Sequence, residues 1–96
     1  MTIYLEVITS PNCPHSPRAV RLAQNVLKEM HGVAFQEVSM ITSQGMQIAQ
    51  AYGVNATPAI VLNGRISFVG VPAKKVLQKM LDEELKKETE KNSYFF

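Results

Sequence analysis

The succession of hydrophobic patterns predicts one α/β domain of order β-α-β-α-β-β-α, a four-stranded mixed sheet with helices on both faces. Three observations carry that prediction. Two runs of bulky apolar residues, 3–9 and 33–39, flank a long stretch of three- and four-residue apolar spacing. That is the pattern of a right-handed βαβ unit with parallel strands. Asn63-Gly64 separates two further apolar runs, and this dipeptide is the strongest short hairpin signal, because both central turn residues need positive φ. Finally, the chain has 96 residues, 46% apolar and 19% charged. That supplies one core, since a single core organises roughly 100–200 residues, and a chain of this size folds without metal or disulfide staples.

The elements follow in order. Ile3, Tyr4, Leu5, Val7 and Ile8 are bulky and only Glu6 interrupts them, so Ile3–Thr9 reads as a strand covered on both faces. Ser10-Pro11-Asn12 breaks it. A helix is expected from about Pro14 to His31, with Val20, Ala23, Leu27 and Met30 inward and Leu22 and Val26 widening the stripe. Pro14 and Pro17 are both placed in its first turn, where a missing N–H costs little, and Gly32 closes it. Val33–Ser39 is the second strand. Thr42 or Ser43 caps a short helix reaching Tyr52, with Met46, Ala49 and Tyr52 inward and Gly53 at its end. Ala59–Leu62 and Ile66–Val69 form the hairpin. The last helix runs from about Pro72 to Lys87 or a little beyond, burying Val76, Leu77, Met80, Leu81 and Leu85, with Glu83 and Lys87 in the favourable i,i+4 order. The domain spans 1–91. Residues 92–96 form a tail whose Tyr94-Phe95-Phe96 end is either frayed or docked in an apolar groove.

Composition excludes several functions. Lys+Arg number 10 against 8 Asp+Glu, a net charge of +2, without the basic concentration that nucleic-acid binding requires. One cysteine forbids an intrachain disulfide and a Cys-rich zinc site; no metal and no cofactor are expected. No apolar run approaches the ~20 residues that span a bilayer. Met1-Thr2-Ile3-Tyr4-Leu5-Glu6 lacks the basic start of a signal peptide. The expectation is a monomer in the cytoplasm, where thiols stay reduced.

Cys13 is the informative residue. It falls between the first strand and the first helix, at the expected N-cap, where backbone N–H groups converge and the macrodipole is positive. Thiolate is favoured there over thiol. His15, two residues on, adds a donor or, when protonated, a charge. The bland alternative is a small buried hydrophobe, but Asn12 and Pro14 are not core neighbours. Thr57-Pro58 precedes the third strand; taken alone it reads as a trans proline opening a strand, since only about one X–Pro bond in twenty is cis.

Together, Cys13-Pro14-His15-Ser16 opening the first helix and Ala56-Thr57-Pro58-Ala59 opening the third strand, in this element order, resemble the thioredoxin/glutaredoxin superfamily, to about Lys87. The resemblance implies a thioredoxin fold and thiol–disulfide oxidoreductase activity. Cys13 then matches the attacking cysteine and Pro58 the cis-proline beside it. The Thr57 backbone would pair with an extended substrate segment, and Gly70 resembles the glycine before the last helix. The implied partners are protein disulfides and either a disulfide reductase or a low-molecular-weight thiol.

One departure matters. Redox members carry Cys-x-x-Cys, and the resolving-cysteine position here is Ser16. Exchange proceeds by thiolate attack to a mixed disulfide, which a serine hydroxyl cannot resolve. Three readings stay open: an engineered Cys-to-Ser replacement, a monothiol glutaredoxin-like enzyme using an external thiol, and a non-catalytic binding module. The lead-in Thr9-Ser10-Pro11-Asn12 and the later Gly70-Val71-Pro72 do not match a glutathione site.

Overall fold

Seven elements appear in the computed structural model, which describes residues 2–93. They are β1 (Ile3–Thr9), α1 (Ser16–Leu27), β2 (Val33–Ser39), α2 (Ser43–Tyr52), β3 (Ala59–Leu62), β4 (Arg65–Val69) and α3 (Lys74–Ser93). The sheet order is β2-β1-β3-β4. β1 and β2 are parallel, with Thr9 opposite Ser39; β1–β3 and β3–β4 are antiparallel. The expected tail end, Tyr94-Phe95-Phe96, lies outside the described residues.

Strand alternation sorts the core into two layers. Ile3, Leu5, Val7, Ile60 and Leu62 face α1 and α3, where Ala19, Ala23, Val26, Leu77 and Leu81 meet them. Ile8, Val38, Ala59 and Val61 face α2 and pack on Ala49. Helices therefore cover both faces, as the sequence predicts.

The inward faces differ in detail from the expected stripes. α1 buries Ser16, Ala19, Ala23 and Val26, while Val20, Leu22, Leu27 and Met30 pack around the margin. Small side chains let the helix approach the sheet closely. In α2 the buried positions are Gly45 and Ala49; Met46, expected inside, is exposed. A Cβ on Gly45 would stand 1.8 Å from the Ser39 carbonyl oxygen, so backbone contact at the end of β2 sets this helix's seat. Val76, also expected inside, is exposed because the buried positions of α3 are Leu77, Leu81 and Glu84.

The ends of the helices have identifiable causes. α2 begins at Thr42, whose hydroxyl accepts from the Gly45 N–H at 2.9 Å, and ends at Gly53 with φ 76°. α1 starts at Ser16, not Pro14. Pro17 has no N–H to donate to the Cys13 carbonyl, and the Ser16 N–H takes that acceptor instead, in a tight turn of 3.3 Å. At its other end, Glu29 and Met30 donate to Val26 and Leu27, three residues back, which tightens the last turn out of α-helix before Gly32. α3 starts at Lys74, two residues after the buried Pro72.

The hairpin turn is tied down. Asn63 has φ 50° and Gly64 φ 83°, as the Asn-Gly signal requires. Asn63 Oδ1 accepts from the Tyr4 N–H at 2.9 Å, and its Nδ2 donates to Glu84 Oε2 at 3.2 Å. Glu84 is only 9% exposed and also meets Arg65 at 3.6 Å and Lys87 at 3.8 Å. Lys87 thus pairs with Glu84, three residues back.

Candidate functional site

At the carboxyl ends of β1 and β2 the α1-facing side of the sheet changes character. Ile3, Leu5 and Val7 are succeeded on that face by Thr9, and Val33 and Phe35 by Glu37 and Ser39. The Thr9 hydroxyl donates to Glu37 Oε2 at 2.9 Å. Above this polar end the chain leaves β1 through Ser10, turns at Pro11–His15 and enters α1.

Cys13 lies in that turn, not at the helix N-cap, which is His15. Its N–H donates to the Ser10 carbonyl at 3.2 Å, and its side chain is half-buried. The Sγ–H donates to the Thr57 carbonyl at 3.2 Å. Thr57–Pro58 is a cis peptide bond, Pro58 is fully buried, and the Pro58 carbonyl accepts from the Gly70 N–H at 2.7 Å. Residues from both ends of the chain's pattern, Cys13 and Thr57-Pro58, are therefore brought together.

Ser16 sits against the same sulfur from the helix side. It is only 3% exposed, and its Oγ accepts from the Ser10 N–H at 3.3 Å, leaving its own proton free to turn toward the sulfur. Hydrogen bonding from the Ser16 side chain is the main cause that holds the Cys13 pKa below its ordinary value, and burial opposes it. The Thr57 side chain and the backbone N–H groups of His15 and Ser16 push in the same downward direction. Burial is the one opposing influence, and the net direction is downward.

Two expected contributors are placed differently. His15 is exposed, and it acts on Cys13 through its backbone amide rather than its imidazole. Pro14 is exposed on the turn. Ser10, Thr9, Glu37, Ser39 and Arg21 carry no motif, yet with Cys13, Ser16 and Pro17 they line a groove of about 430 Å³. Only the parallel register, which puts Glu37 diagonal to Thr9, reveals Glu37 as a neighbour. Among the described residues no group of three or more His, Cys, Asp or Glu is placed to hold a metal ion, and no helix is long and apolar enough to cross a membrane.

A thiol whose pKa is lowered, beside an exposed turn and a carbonyl able to orient it, has the arrangement that attack on sulfur requires. The comparisons agree with this chemistry. A family model described as "Thioredoxin domain" matches residues 3–82. A thioredoxin of Methanocaldococcus jannaschii is 38% identical over 84 residues, covering 86% of this chain and 96% of the relative. A probable thioredoxin of Methanothermobacter thermautotrophicus is 31% identical, covering 88% and 99%. In fold, the chain is similar to the solved structure of a mutant thioredoxin from Halobacterium salinarum, with TM-score 0.69 and 21% identity over 84% of this chain and 73% of that one.

Proposed function

The chain belongs to the thioredoxin family, and from that premise we propose that it exchanges disulfides with protein substrates through Cys13 and relies on a thiol from outside the chain to complete each turnover. Thiol–disulfide oxidoreduction is the family's chemistry. What supports its assignment to Cys13 is the placement of the sulfur, 3.2 Å from the Thr57 carbonyl, under donors that lower its pKa.

The steps follow from the residues. The Cys13 thiolate attacks one sulfur of a substrate disulfide. The Cys13–substrate S–S bond forms, the substrate S–S bond breaks, and the second substrate sulfur leaves as thiolate and takes a proton from water. The backbone at Thr57 holds an extended substrate segment as an added strand, and Pro58 shapes the floor. Ser16 occupies the position from which a second thiol would release the substrate. It cannot form a disulfide, so release falls to a disulfide reductase or a low-molecular-weight thiol. The cytoplasm, where such thiols are kept reduced, suits this reaction.

The experiment is disulfide reduction by the chain beside its S16C variant, with mixed disulfides followed by mass spectrometry. The chain is expected to accumulate a Cys13 adduct. S16C is expected to turn over at least ~10-fold faster, because an intramolecular thiol has a high effective concentration. No gain in S16C removes the reading of Ser16 as a replaced resolving cysteine. An apparent Cys13 pKa at or above the ordinary ~8.5 turns the reading to a binding module that uses the same groove without chemistry.

A further inference from the structure

We propose that the groove between the start of α1 and the carboxyl ends of β1 and β2 receives the external thiol, and that this thiol is a small zwitterion carrying both a carboxylate and an ammonium group. The proposal rests on the exchange reading above and adds the resolving partner to it.

Position is the first argument. The sulfur of Cys13, a half-buried residue, has different neighbours on two sides. On one lie Thr57 and Pro58, where substrate docks. On another lies the groove, whose walls include Cys13, Ser16, Ser10 and Pro17 but neither Thr57 nor Pro58. Displacement at sulfur proceeds with the entering and leaving sulfurs on opposite sides of the atom attacked. A thiol that ejects a substrate lying over Thr57 must therefore arrive from the Ser16 side. Ser16 is buried there with its Oγ held by the Ser10 N–H, so the open approach is the groove beside it.

Charge is the second argument. The groove has one cationic and one anionic side chain, Arg21 from α1 and Glu37 from β2. Arg21 makes no ion pair among the described residues. Glu37 is held in orientation by the Thr9 hydroxyl at 2.9 Å. The remaining polar walls, Thr9, Ser10, Ser16 and Ser39, offer hydroxyl and amide groups. A carboxylate suits Arg21 and the positive end of α1; an ammonium suits Glu37. A volume of about 430 Å³ lies within the range of small-molecule sites and admits a ligand of amino-acid or dipeptide size.

The chemistry balances without a further reagent. The zwitterionic thiol loses its proton to solvent and its thiolate attacks Cys13 Sγ. The bond between Sγ and the substrate sulfur breaks, and the substrate leaves as thiolate and is protonated. A second thiolate attacks the small-thiol sulfur, giving the small disulfide and free Cys13 thiolate. Two thiols are oxidised to one disulfide and one protein disulfide is reduced to two thiols.

The test uses the full chain charged at Cys13 with 5-thio-2-nitrobenzoate, whose release is coloured. Release is timed against cysteine (zwitterion), cysteamine (cation), 3-mercaptopropionate (anion) and dithiothreitol (uncharged), compared at equal thiolate concentration. Cysteine is expected to saturate and to outrun the other three. R21A is expected to cut the ratio of cysteine to cysteamine rates about fivefold, and E37Q the ratio of cysteine to 3-mercaptopropionate rates about fivefold, the effect of losing one partly exposed ion pair. Both side chains are exposed, and a melting curve confirms that each variant is folded. Linear dependence on every thiol, with ratios indifferent to both substitutions, overturns the groove while leaving exchange at Cys13 intact. Failure of Cys13 to form the adduct at all overturns the exchange reading and the groove with it.

Discussion

The sulfur of Cys13 lies 3.2 Å from the carbonyl oxygen of Thr57, 44 residues away in sequence. Neither residue belongs to regular structure: one is in the turn before α1, the other just ahead of β3. Each is held by a backbone bond, Cys13 by Ser10 of its own turn and Pro58, next to Thr57, by Gly70 just beyond β4. The contact is therefore set by two loops whose anchors are the core strands.

Alkylation of Cys13 by iodoacetamide against pH reads the donors around the sulfur. Ser16→Ala removes the side chain that contributes most to the lowered pKa, so its midpoint is expected to move up and its rate below neutral pH to fall several-fold. His15→Ala keeps the backbone amide, the part of His15 that acts on the sulfur, and is expected to move the midpoint less. A larger effect from His15→Ala would reassign the control to the imidazole.

The same lowered pKa couples ionisation to stability. The folded-state value lies below the unfolded value, roughly 8.5 for a cysteine, so the unfolded state binds more protons in between. The contribution is present in full above about 8.5 and is lost as pH falls through the folded-state value. The reduced chain should gain melting temperature relative to Cys13→Ala as pH rises through this window and hold a constant difference above it. A difference flat in pH contradicts the shift.

Two glycines should lose stability to alanine by unequal amounts. At Gly45 the added Cβ meets backbone at 1.8 Å, so α2 must move, at a cost of about 3 kcal/mol or more. At Gly53 nothing lies within 4 Å, and only the φ of 76° opposes the change, about 1 kcal/mol. Urea unfolding of both variants gives the comparison.

Glu84→Ala strips the partner of Asn63, Arg65 and Lys87. Arg65 and Lys87 are largely exposed and contribute little. The bond to Asn63 is the costly loss, about 1–3 kcal/mol, and each kcal/mol lowers Tm by roughly 4–8 °C in a domain this small. Calorimetry checks it; a Tm within a degree of the parent's would show the clasp to be idle.

Strands were readable because their signals are local. Ile3–Thr9, Val33–Ser39 and Ala59–Leu62 have the expected bounds, since bulky runs and Asn63-Gly64 need no partner to be recognised. The start of α1 was not readable. Pro14 and Pro17 both suit a first turn, and the choice rests on whether the Cys13 carbonyl finds a donor at Ser16 or lacks one at Pro17. Ala23, Val26 and Ala49 are buried as expected. Ala19 and Gly45 are weak signals beside Leu22 or Met46, yet close approach to the sheet selects the small residues. At the candidate site, Cys13, Ser16, Thr57 and Pro58 are picked out by the resemblance of their two motifs to the family's. Ser10 acts through its amide, which any residue carries, and Glu37 through a register that only the folded sheet defines.

Because α1 begins at Ser16, the bend that carries Cys13 is not part of the rod it leads into. Pro11, Asn12, Pro14 and His15 all face solvent and prop up nothing in the interior. Their side chains can be exchanged with little penalty to the scaffold, whereas the group that lowers the thiol's pKa most, the Ser16 side chain, is buried in the first turn of the rod itself, so the acidity of the sulfur is tied to the body and not to the bend.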